Sequence, residues 1–246
     1  ITMDKTAIII PSRLDAQRLP NKPLKLINNK EMILHVYSAA VKSKVGKVYV
    51  ATPDQKILDI VKNSGGNAIK TSDIHETGTD RIFEIFKNNL NNKPNLIINL
   101  QGDMPNIDPS TIYDLASYMK KGKCDIGTLA SELSYRNELH NPNIVKVATK
   151  NKFSKEKFLD AVDFFRKDEG LHDKLYHHIG IYAFTNKALI RYVSLKRTKL
   201  ELERKLEQLR ALENDMSIHV GYVKTSPLSV DTEEDLIEIK KIMENK

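Results

Sequence analysis

The segment Ala7–Leu24 constrains the fold more than any other stretch of this sequence. Its first residues, Ala7–Ile10, form an unbroken apolar run, and a proline-containing basic loop with Arg13, Arg18 and Lys22 follows. Such a run is typical of a parallel strand covered on both faces, and ligands of open α/β sheets collect beyond the carboxyl ends of these strands. Because guanidinium and ammonium groups bind phosphate oxygens, we expect an anionic ligand at this loop, in particular a polyphosphate.

Strand and helix patterns alternate through the first half of the chain. The next predicted strands are Lys47–Thr52, Ala68–Lys70 and Leu96–Gly102. The predicted helices are Glu31–Lys42, Asp54–Ser64, Asp80–Leu90 and one that opens at Asp108-Pro109, with the polar loop His75–Arg81 before the third. This rhythm predicts an α/β fold with a doubly wound, mainly parallel sheet and helices on both faces.

The second half departs from that rhythm, so we expect a smaller antiparallel portion there. Its strand candidates are Ile126–Ser131, Ile144–Thr149, His178–Phe184 and Ser217–Lys224. Its helical candidates are Ser154–Phe165, Lys199–Glu213 and Thr232–Glu244. Since no repeat or linker interrupts the chain, we predict one domain.

Composition excludes several classes of protein. The chain has 246 residues and 40% hydrophobic content, without an apolar run of membrane-spanning length or a signal-peptide pattern, so we expect a cytoplasmic protein. Its single cysteine, Cys124, excludes an internal disulfide framework. The net charge is +7, but 39 basic residues are scattered among 32 acidic ones and only 7% are aromatic. This pattern favours a small anionic substrate over nucleic acid.

Two aspartates are candidate metal ligands. Asp103 follows the strand that ends at Gln101-Gly102, and Asp231 lies just before the last predicted helix. Mg²⁺ is commonly held by one or two carboxylates together with substrate phosphates. Each aspartate taken alone also fits an ordinary cap or turn.

Two further patterns bear on the chemistry. The histidines His177-His178 are adjacent on a predicted strand and point to opposite faces, which argues against a metal pair and favours one histidine lining a pocket. The first strand lacks the glycine fingerprint of dinucleotide-binding folds, and no serine or cysteine nucleophile motif is visible. A dehydrogenase is therefore excluded.

The whole chain resembles the 3-deoxy-manno-octulosonate cytidylyltransferases, also called CMP-Kdo synthetases. The motifs that carry the resemblance, in the family's order and at about its spacing, are IIPSRLDAQRLPNKPL, HETGTDR, NLQGDMP, HNPNIVKV, HHIGIYAF, LEQLRALEN and VDTEEDL. The resemblance implies a nucleotidyltransferase domain of residues 1–246, with a nucleotide-binding half of about 1–110 and an acceptor-sugar and dimerisation half of about 111–246. It also implies a Mg²⁺-dependent homodimer that transfers CMP from CTP to the anomeric hydroxyl of 3-deoxy-D-manno-octulosonate (Kdo), releases pyrophosphate and serves lipopolysaccharide biosynthesis.

The resemblance also assigns roles to residues. The catalytic set is Arg13, Lys22, Asp103 and Asp231, of which Asp103 and Asp231 are the metal ligands. The CTP-binding set is Arg13, Arg18, Lys22, Gly78, Thr79, Arg81 and Gln101. The acceptor-sugar set is His178, Tyr182, Glu207, Gln208 and Arg210.

The sequence departs from the family pattern at a few positions, which lie mainly on the acceptor side. They are Ala16 or Gln17 in place of a small hydroxyl residue before Arg18, Met104 in place of a glutamate, Leu159-Asp160 in place of Ser-Arg, Arg204 in place of an acidic residue and Ser229 in place of a glycine. Two alternatives therefore stay open: a cytidylyltransferase for another acidic sugar, sialate-like or an amino-substituted octulosonate, and a degenerate homologue that binds nucleotide or sugar without turnover. The intact Asp103 and Asp231 favour an active enzyme, whereas the altered Leu159-Asp160 favours the degenerate homologue.

Overall fold

The structure is a computed structural model and describes residues 5–15, 17–133, 136–154, 157–167 and 169–244. Its strands are β1 (Thr6–Pro11), β2 (Leu26–Ile27), β3 (Lys30–Glu31), β4 (Lys47–Thr52), β5 (Ala68–Lys70), β6 (Leu96–Leu100), β7 (Ile126–Ser131), β8 (Lys146–Thr149), β9 (Phe158–Phe165), β10 (Leu175–Thr185) and β11 (Ile218–Tyr222). Its helices are α1 (Met32–Lys42), α2 (Gln55–Asn63), α3 (Gly78–Asn88), α4 (Pro109–Met119), α5 (Arg136–His140), α6 (Asn186–Ser194), α7 (Lys199–Arg204), α8 (Leu209–Leu212) and α9 (Glu233–Glu244). A 3₁₀ turn spans Lys22–Leu24.

The chain divides into two compact units. The first comprises Ile1–Ala116 and Pro227–Lys246, and the second comprises Ser117–Ser226. The C-terminal segment thus returns to the first unit, whereas the sequence analysis assigns it to the second half. The organisation as one domain stays a prediction.

The first unit is built on parallel strands in the order β5-β4-β1-β6. In β1, the consecutive residues Ile8, Ile9 and Ile10 are all fully buried, so both faces of the strand are covered. This confirms the prediction from the apolar run. Ile9 pairs with Asn99 of β6, and the loops that follow β1 and β6 therefore leave the sheet at the same edge.

The second unit contains a mixed set of strands in the order β10-β7-β11-β9-β8, and β8 also pairs with β10. Only the β7–β11 pairing is parallel among these pairs, and the others are antiparallel. The antiparallel portion predicted for the second half is confirmed.

The predicted helix Ser154–Phe165 is wrong, because residues 158–165 form strand β9. Leu159 and Ala161 are buried, whereas Asp160 and Val162 are exposed. This two-residue alternation is the signature of a strand with one face covered. Residues 155 and 156 of the predicted helix lie outside the described residues.

The predicted helix Lys199–Glu213 is also wrong as one continuous element. Helix α7 ends at Arg204, because Lys205 adopts the left-handed conformation with φ 54°. The chain then turns through residues 206–208 before the short helix α8 begins. This turn carries part of the predicted acceptor-sugar set.

Helix α3 begins at Gly78, two residues earlier than predicted. The side chain of Thr77 caps it, since its Oγ1 accepts a hydrogen bond from the backbone N–H of Asp80 at 3.2 Å. The HETGTDR motif therefore lies partly on a helix N-terminus and not wholly in a loop.

Within the described ranges, no helix has the length and apolar character needed to cross a membrane. Cys124 is buried, and burial raises the pKa of its thiol to about 12. This agrees with a structural thiol.

Candidate active site

Two carboxylates from distant parts of the sequence meet around one ammonium group in the first unit. Asp103 follows β6 and Asp231 precedes α9. Lys22 Nζ lies 2.9 Å from Asp231 Oδ1 and 3.9 Å from Asp103 Oδ2. The backbone N–H of Val230 also donates to the carbonyl of Asp103 at 2.9 Å. The structure therefore brings together three of the four predicted catalytic residues.

Hydrophobic packing fixes this arrangement. Leu19, from the basic loop, belongs to one buried cluster with Val230 and with Leu236 and Ile239 of α9. The 3₁₀ turn that holds Lys22 starts after Asn21, whose left-handed conformation (φ 57°) reverses the chain. Because the loop and α9 share a core, the Lys22 ammonium is directed toward the acidic pair.

Neighbouring polar groups hold the Asp103 carboxylate and the backbone at Asp231. Ser229 Oγ donates to Asp103 Oδ2 at 3.1 Å. Asp235 Oδ2 accepts from the backbone N–H groups of Asp231 and Thr232 at 2.9 Å each. Asp235 lies three residues after Thr232 and forms a cap of the kind seen at helix N-termini. The T-x-x-D spacing in the sequence is the signal for Asp235, which is not among the predicted site residues.

Opposing contributions set the pKa of Asp103. Burial raises the pKa of Asp103, and the charge of Asp231 acts in the same direction, while Lys22 and the Ser229 hydroxyl act against it. Two carboxylates that share one ammonium are a suitable donor set for a divalent cation, whose remaining ligands come from a bound polyphosphate. Across the described residues, no group of three or more His, Cys, Asp or Glu side chains is placed to hold a metal. A Mg²⁺ ion held jointly by these two carboxylates and the substrate stays a prediction.

The two predicted arginines of the loop are more loosely placed. Arg18 Nη2 lies 3.7 Å from Asp231 Oδ2, and its side chain is 56% exposed. Arg13 is exposed, and its charge contributes to the lowered pKa of Arg81, of which burial is the main cause. Both arginines are accessible to an anionic ligand.

Three of the remaining predicted nucleotide residues lie close together near the ends of β1 and β6: Gly78, Thr79 and Gln101. A Cβ on Gly78 would lie 3.1 Å from Pro11 Cγ and 3.3 Å from Gln101 Nε2, so glycine permits the close approach of α3. Gln101 donates to Asn99 Oδ1 at 2.9 Å, and Asn99 donates to Thr79 Oγ1 at 3.3 Å. This chain of hydrogen bonds fixes the Gln101 amide.

Arg81 is part of the supporting structure. It is 3% exposed, and Nη1 donates to Thr71 Oγ1 and to the Ser72 carbonyl at 2.7 Å each. These bonds tie α3 to the segment after β5. A direct contact of Arg81 with nucleotide stays a prediction.

The predicted acceptor residues lie in the second unit, where His178 and Tyr182 are buried on β10. Thr128 Oγ1 donates to the Ile181 carbonyl at 2.7 Å and lies 2.9 Å from His178 Nε2. Burial lowers the pKa of His178 to about 3, so its imidazole is neutral at pH 7. Burial also raises the pKa of Tyr182 well above its usual value, with a further contribution from Glu207. Both side chains are neutral hydrogen-bonding groups.

The other predicted acceptor residues follow α7. The Glu207 carbonyl accepts from Tyr192 Oη at 2.7 Å, and Gln208 is 5% exposed. Arg210 donates to Glu201 through Nε at 2.9 Å and through Nη2 at 2.5 Å. This bidentate pair is buried, so Arg210 has a structural partner that the sequence analysis did not identify.

His177 and His178 contact different groups, as their adjacent strand positions require. His177 Nδ1 lies 3.5 Å from Glu138 Oε2, whereas His178 faces Thr128.

Comparison with known proteins identifies the family. Residues 7–218 match the family model for cytidylyltransferases. The 3-deoxy-manno-octulosonate cytidylyltransferase of Brucella ovis is 43% identical over 234 residues, which cover 94% of this chain and 93% of that protein. The chain belongs to the 3-deoxy-manno-octulosonate cytidylyltransferase family. The protein of the same name from Brucella anthropi is 42% identical over 94% of each chain.

Solved structures agree with this assignment. The structure of CMP:2-keto-3-deoxy-manno-octonic acid synthetase complexed with CTP matches with a TM-score of 0.87 and 33% identity, over 98% of this chain and 99% of that chain. A cytidylyltransferase from Leptospira borgpetersenii, 18% identical, shares the fold with a TM-score of 0.64 over 98% of this chain and 87% of its own. The predicted α/β nucleotidyltransferase fold is confirmed, and the chain is a transferase.

Two of the departures from the family pattern lie beside the acidic pair. Ser229 adds the hydrogen bond to Asp103 described above. Met104 is 2% exposed and is therefore a core residue. Neither change removes a carboxylate from the pair. Ala16 lies outside the residues that the structure describes.

The residues that depart from the family pattern on the acceptor side contact other residues of the second unit. Asp160 Oδ1 lies 2.9 Å from His219 Nε2, and Leu159 is buried. Arg204 Nη1 donates to Asp163 Oδ1 at 2.7 Å. Sequence reasoning missed Asp163 because its segment was assigned to a helix, where Asp163 has no relation to Arg204.

Proposed function

We propose that this protein transfers CMP from CTP to the anomeric hydroxyl of Kdo, yielding CMP-Kdo and pyrophosphate for lipopolysaccharide biosynthesis. The observation that carries the proposal is the position of Lys22 between Asp103 and Asp231, 2.9 Å from Asp231 and 3.9 Å from Asp103. Kdo as acceptor is supported by the names of relatives that are 43% identical over 94% of the chain. CTP as donor is supported by a similar synthetase solved with CTP.

The basic loop binds the triphosphate in this reaction. Arg13, Arg18 and Lys22 offset the negative charge that grows on pyrophosphate as the bond from the α-phosphorus to its bridging oxygen breaks. The anomeric oxygen of Kdo forms the new bond to the α-phosphorus, and its hydroxyl proton is released. Gln101, held by Asn99, is positioned as a hydrogen-bonding group for the nucleotide.

Asp103 and Asp231 hold Mg²⁺ in this proposal. When bound, the metal ion supplies Lewis-acid stabilisation of the phosphate oxygens. The carboxylates must be ionised for this role, and the cation adds positive charge beside the pair. Lys22 supplies part of that charge before the nucleotide binds.

On the acceptor side, His178 and Tyr182 contribute neutral hydrogen-bonding groups, and Glu207, Gln208 and Arg210 complete the predicted sugar site. We also propose that the protein acts as a homodimer, as the family resemblance implies, and in the cytoplasm, where CTP is available. Each of these statements extends beyond the family assignment.

A second candidate is a cytidylyltransferase for another acidic sugar. The Arg204–Asp163 ion pair favours this alternative, because it puts an arginine where the family pattern has an acidic residue. The donor half of the reaction is the same in both candidates.

Pyrophosphate release from CTP with Mg²⁺ tests the proposal, using a panel of acidic sugars that includes Kdo, a sialate and an amino-substituted octulosonate. Release with Kdo supports the first candidate, and release only with another sugar supports the second. CTP binding without release for any sugar contradicts both and supports a degenerate homologue.

A further inference from the structure

The segment 71–77, between β5 and α3, is held against α3 at both of its ends. Near its start, Arg81 Nη1 donates to the Ser72 carbonyl at 2.7 Å. At its end, Thr77 Oγ1 donates to Asp80 Oδ2 at 2.9 Å. Arg81 and Asp80 both belong to α3, so side chains of this helix determine the path of the segment.

Glu84, three positions after Arg81 on α3, holds the segment at two further groups. The backbone N–H of Ser72 donates to Glu84 Oε2 at 3.0 Å and to Oε1 at 3.3 Å. His75 Nε2 also contacts Glu84 Oε2, and the imidazole is the donor because an ionised carboxylate only accepts hydrogen bonds. Residues three apart on a helix share a face. Arg81 and Glu84 therefore hold the carbonyl and the N–H of the same residue, Ser72.

The carboxylate of Glu84 is ionised in the folded protein. Burial alone would raise its pKa, but the hydrogen bonds from His75 and from the Ser72 N–H, with the charges of His75 and Arg81, together lower the pKa below its usual value. Glu84 in turn favours the charged form of Arg81, whose pKa is lowered by burial and by Arg13. Glu84 thus stabilises both the segment and the guanidinium that holds it.

The segment leads directly into the predicted nucleotide residues. A Cβ on Gly78 would lie 3.1 Å from Pro11 Cγ and 3.3 Å from Gln101 Nε2. The residue that follows the segment is therefore packed between the ends of β1 and β6. The charge of Arg13 acts on Arg81, so the start of the basic loop also lies within electrostatic range of α3. A displacement of the segment would alter this edge of the sheet.

The chemistry of the segment suits the nucleoside part of a nucleotide better than its phosphates. Asp73 and Glu76 are exposed acidic residues, and the segment contains no lysine or arginine. Their negative charges repel phosphate groups, which the basic loop binds in the proposed function. The hydroxyl and peptide groups of the segment are neutral and can form hydrogen bonds with a ribose or a base.

We propose that Glu84 is a positioning residue for the nucleoside part of CTP. It holds Ser72 and His75 against α3, so that the segment 71–77 and Gly78 keep the conformation in which the nucleoside binds. The inference rests on the proposed function, because it concerns the donor substrate of the same reaction. Glu84 itself does not need to touch the nucleotide for this role.

Isothermal titration with two ligands, CTP and inorganic triphosphate, tests the inference on the full-length protein with Mg²⁺. We expect Glu84→Ala to bind CTP about tenfold more weakly, because part of the binding free energy must then order the segment. Triphosphate should bind with wild-type affinity. Glu84→Gln keeps an acceptor for the Ser72 N–H and should weaken CTP binding by only about threefold.

Steady-state kinetics give a second measure of the same effect. In Glu84→Ala the KM for CTP should rise, while kcat at saturating CTP and the KM for the acceptor stay within about twofold, as for the loss of an interaction made equally in ground state and transition state. A fall in kcat with an unchanged KM for CTP overturns the inference.

Control variants separate positioning from charge. Asp73→Asn removes an equal charge from the same segment but leaves the hydrogen bonds of Glu84 in place, so both ligands should bind as to the wild type. His75→Ala should weaken CTP binding by less than Glu84→Ala does. The double variant should bind CTP no more weakly than Glu84→Ala alone, since His75 acts through Glu84; fully additive losses overturn the inference.

Folding is checked by the melting curve of each variant. A lower melting temperature in Glu84→Ala with wild-type affinity for CTP shows a structural role alone and overturns the inference. Equal losses of affinity for CTP and for triphosphate overturn it as well, because the effect is then not confined to the nucleoside. If Glu84→Ala fails to fold, Glu84→Gln and His75→Ala decide, and wild-type affinity for CTP in both overturns the inference.

The outcome for Glu84 is distinguishable from the outcome for the proposed function. A wild type that binds CTP but releases no pyrophosphate with any acidic sugar contradicts the function, while the affinities of the variants still decide on Glu84. Pyrophosphate release with Kdo supports the function even if Glu84→Ala binds CTP as tightly as the wild type does.

Discussion

The ammonium of Lys22 lies 2.9 Å from Oδ1 of Asp231, although 209 positions of sequence separate the two residues. Leu19 and Val230 explain this proximity, because they share one buried cluster. Packing of the loop after β1 on α9 therefore assembles a charged site from both ends of the chain. Asp103 joins it at the end of β6, and the expected effects of substitutions follow from these contacts.

Replacement of Asp103 by asparagine should reduce kcat strongly, by about 10²-fold or more, because a metal ligand that also offsets transition-state charge is lost. The pKa of this carboxyl is raised in the folded protein, which means that folding disfavours its ionised form. Without Mg²⁺, the uncharged amide should therefore leave the melting temperature unchanged or raise it. Steady-state kinetics and thermal unfolding measure the two effects. Asp114→Asn, on the exposed face of α4, is the matched control and should change neither; a near-normal kcat in Asp103→Asn contradicts the metal assignment.

Removal of the Ser229 hydroxyl should weaken the metal site mildly. Ser229 Oγ donates to Asp103 Oδ2 at 3.1 Å and favours the ionised carboxylate. In Ser229→Ala we expect the Mg²⁺ concentration for half-maximal rate to rise by a few fold, because this solvent-exposed hydrogen bond contributes about 1 kcal/mol or less. Titration of the rate with Mg²⁺ measures this, and Ser229→Thr, which keeps the hydroxyl, should restore the wild-type value.

Arg13→Gln should raise the KM for CTP by about tenfold, since one charge-assisted phosphate contact is lost, with little change in the melting temperature because Arg13 is exposed. The KM for the acceptor should stay within about twofold. Lys56→Gln removes an equal charge from the exposed face of α2 and serves as the control. An unchanged KM for CTP excludes Arg13 from the phosphate site.

Much of the nucleotide half was predictable because its signals are local. An apolar run such as Ala7–Ile10 is read directly as a buried parallel strand, and polar residues after β1 and β6 must meet at one sheet edge. The meeting of Lys22 with Asp231 was harder to predict, because it depends on α9 returning to the first unit. The sequence shows the charges but not the packing of Leu19 on Val230 that unites them.

The acceptor half was less predictable for a physical reason. The apolar residues of segment 158–165 fit both the 3.6-residue period of a helix and the 2-residue period of a strand. The segment forms a strand because it pairs with β8 and β11. With the segment assigned to a helix, Asp163 and Arg204 are unrelated residues. The break at Lys205 is likewise invisible, because lysine has no intrinsic preference for the left-handed conformation.

Burial of neutral His178 should make stability depend on pH. Its pKa is about 3 in the folded protein against 6.5 for the ordinary group, so below pH 6.5 the unfolded state binds a proton that the folded state does not. Stability is therefore lost as the pH falls from 6.5 toward 3, with this residue contributing about 2 kcal/mol between pH 7 and pH 5. Denaturant unfolding at both pH values should show a smaller loss for His178→Gln than for wild type or for His140→Gln, whose histidine is exposed; equal losses in all three proteins contradict this account.

The buried Glu201–Arg210 pair should contribute to folding. Glu201 is fully buried and binds Arg210 on two nitrogens, so Glu201→Gln leaves a buried guanidinium without its counter-charge, at a cost of about 3 kcal/mol. The free energy of unfolding measures this cost. Glu203→Gln, on the exposed side of the same helix, should cost less than about 0.5 kcal/mol. Equal and small costs for both variants show that the pair is not a structural anchor.

The central claim is cytidylyl transfer to Kdo at the site built by Lys22, Asp103 and Asp231. ³¹P nuclear magnetic resonance of a mixture of the protein, CTP, Mg²⁺ and Kdo follows the phosphorus atoms themselves. The account predicts that the CTP signals disappear and that CMP-Kdo and pyrophosphate form in equimolar amounts. CMP-Kdo is seen as one phosphodiester signal. Persistence of CTP, or its conversion to CMP or CDP without a phosphodiester, contradicts the account.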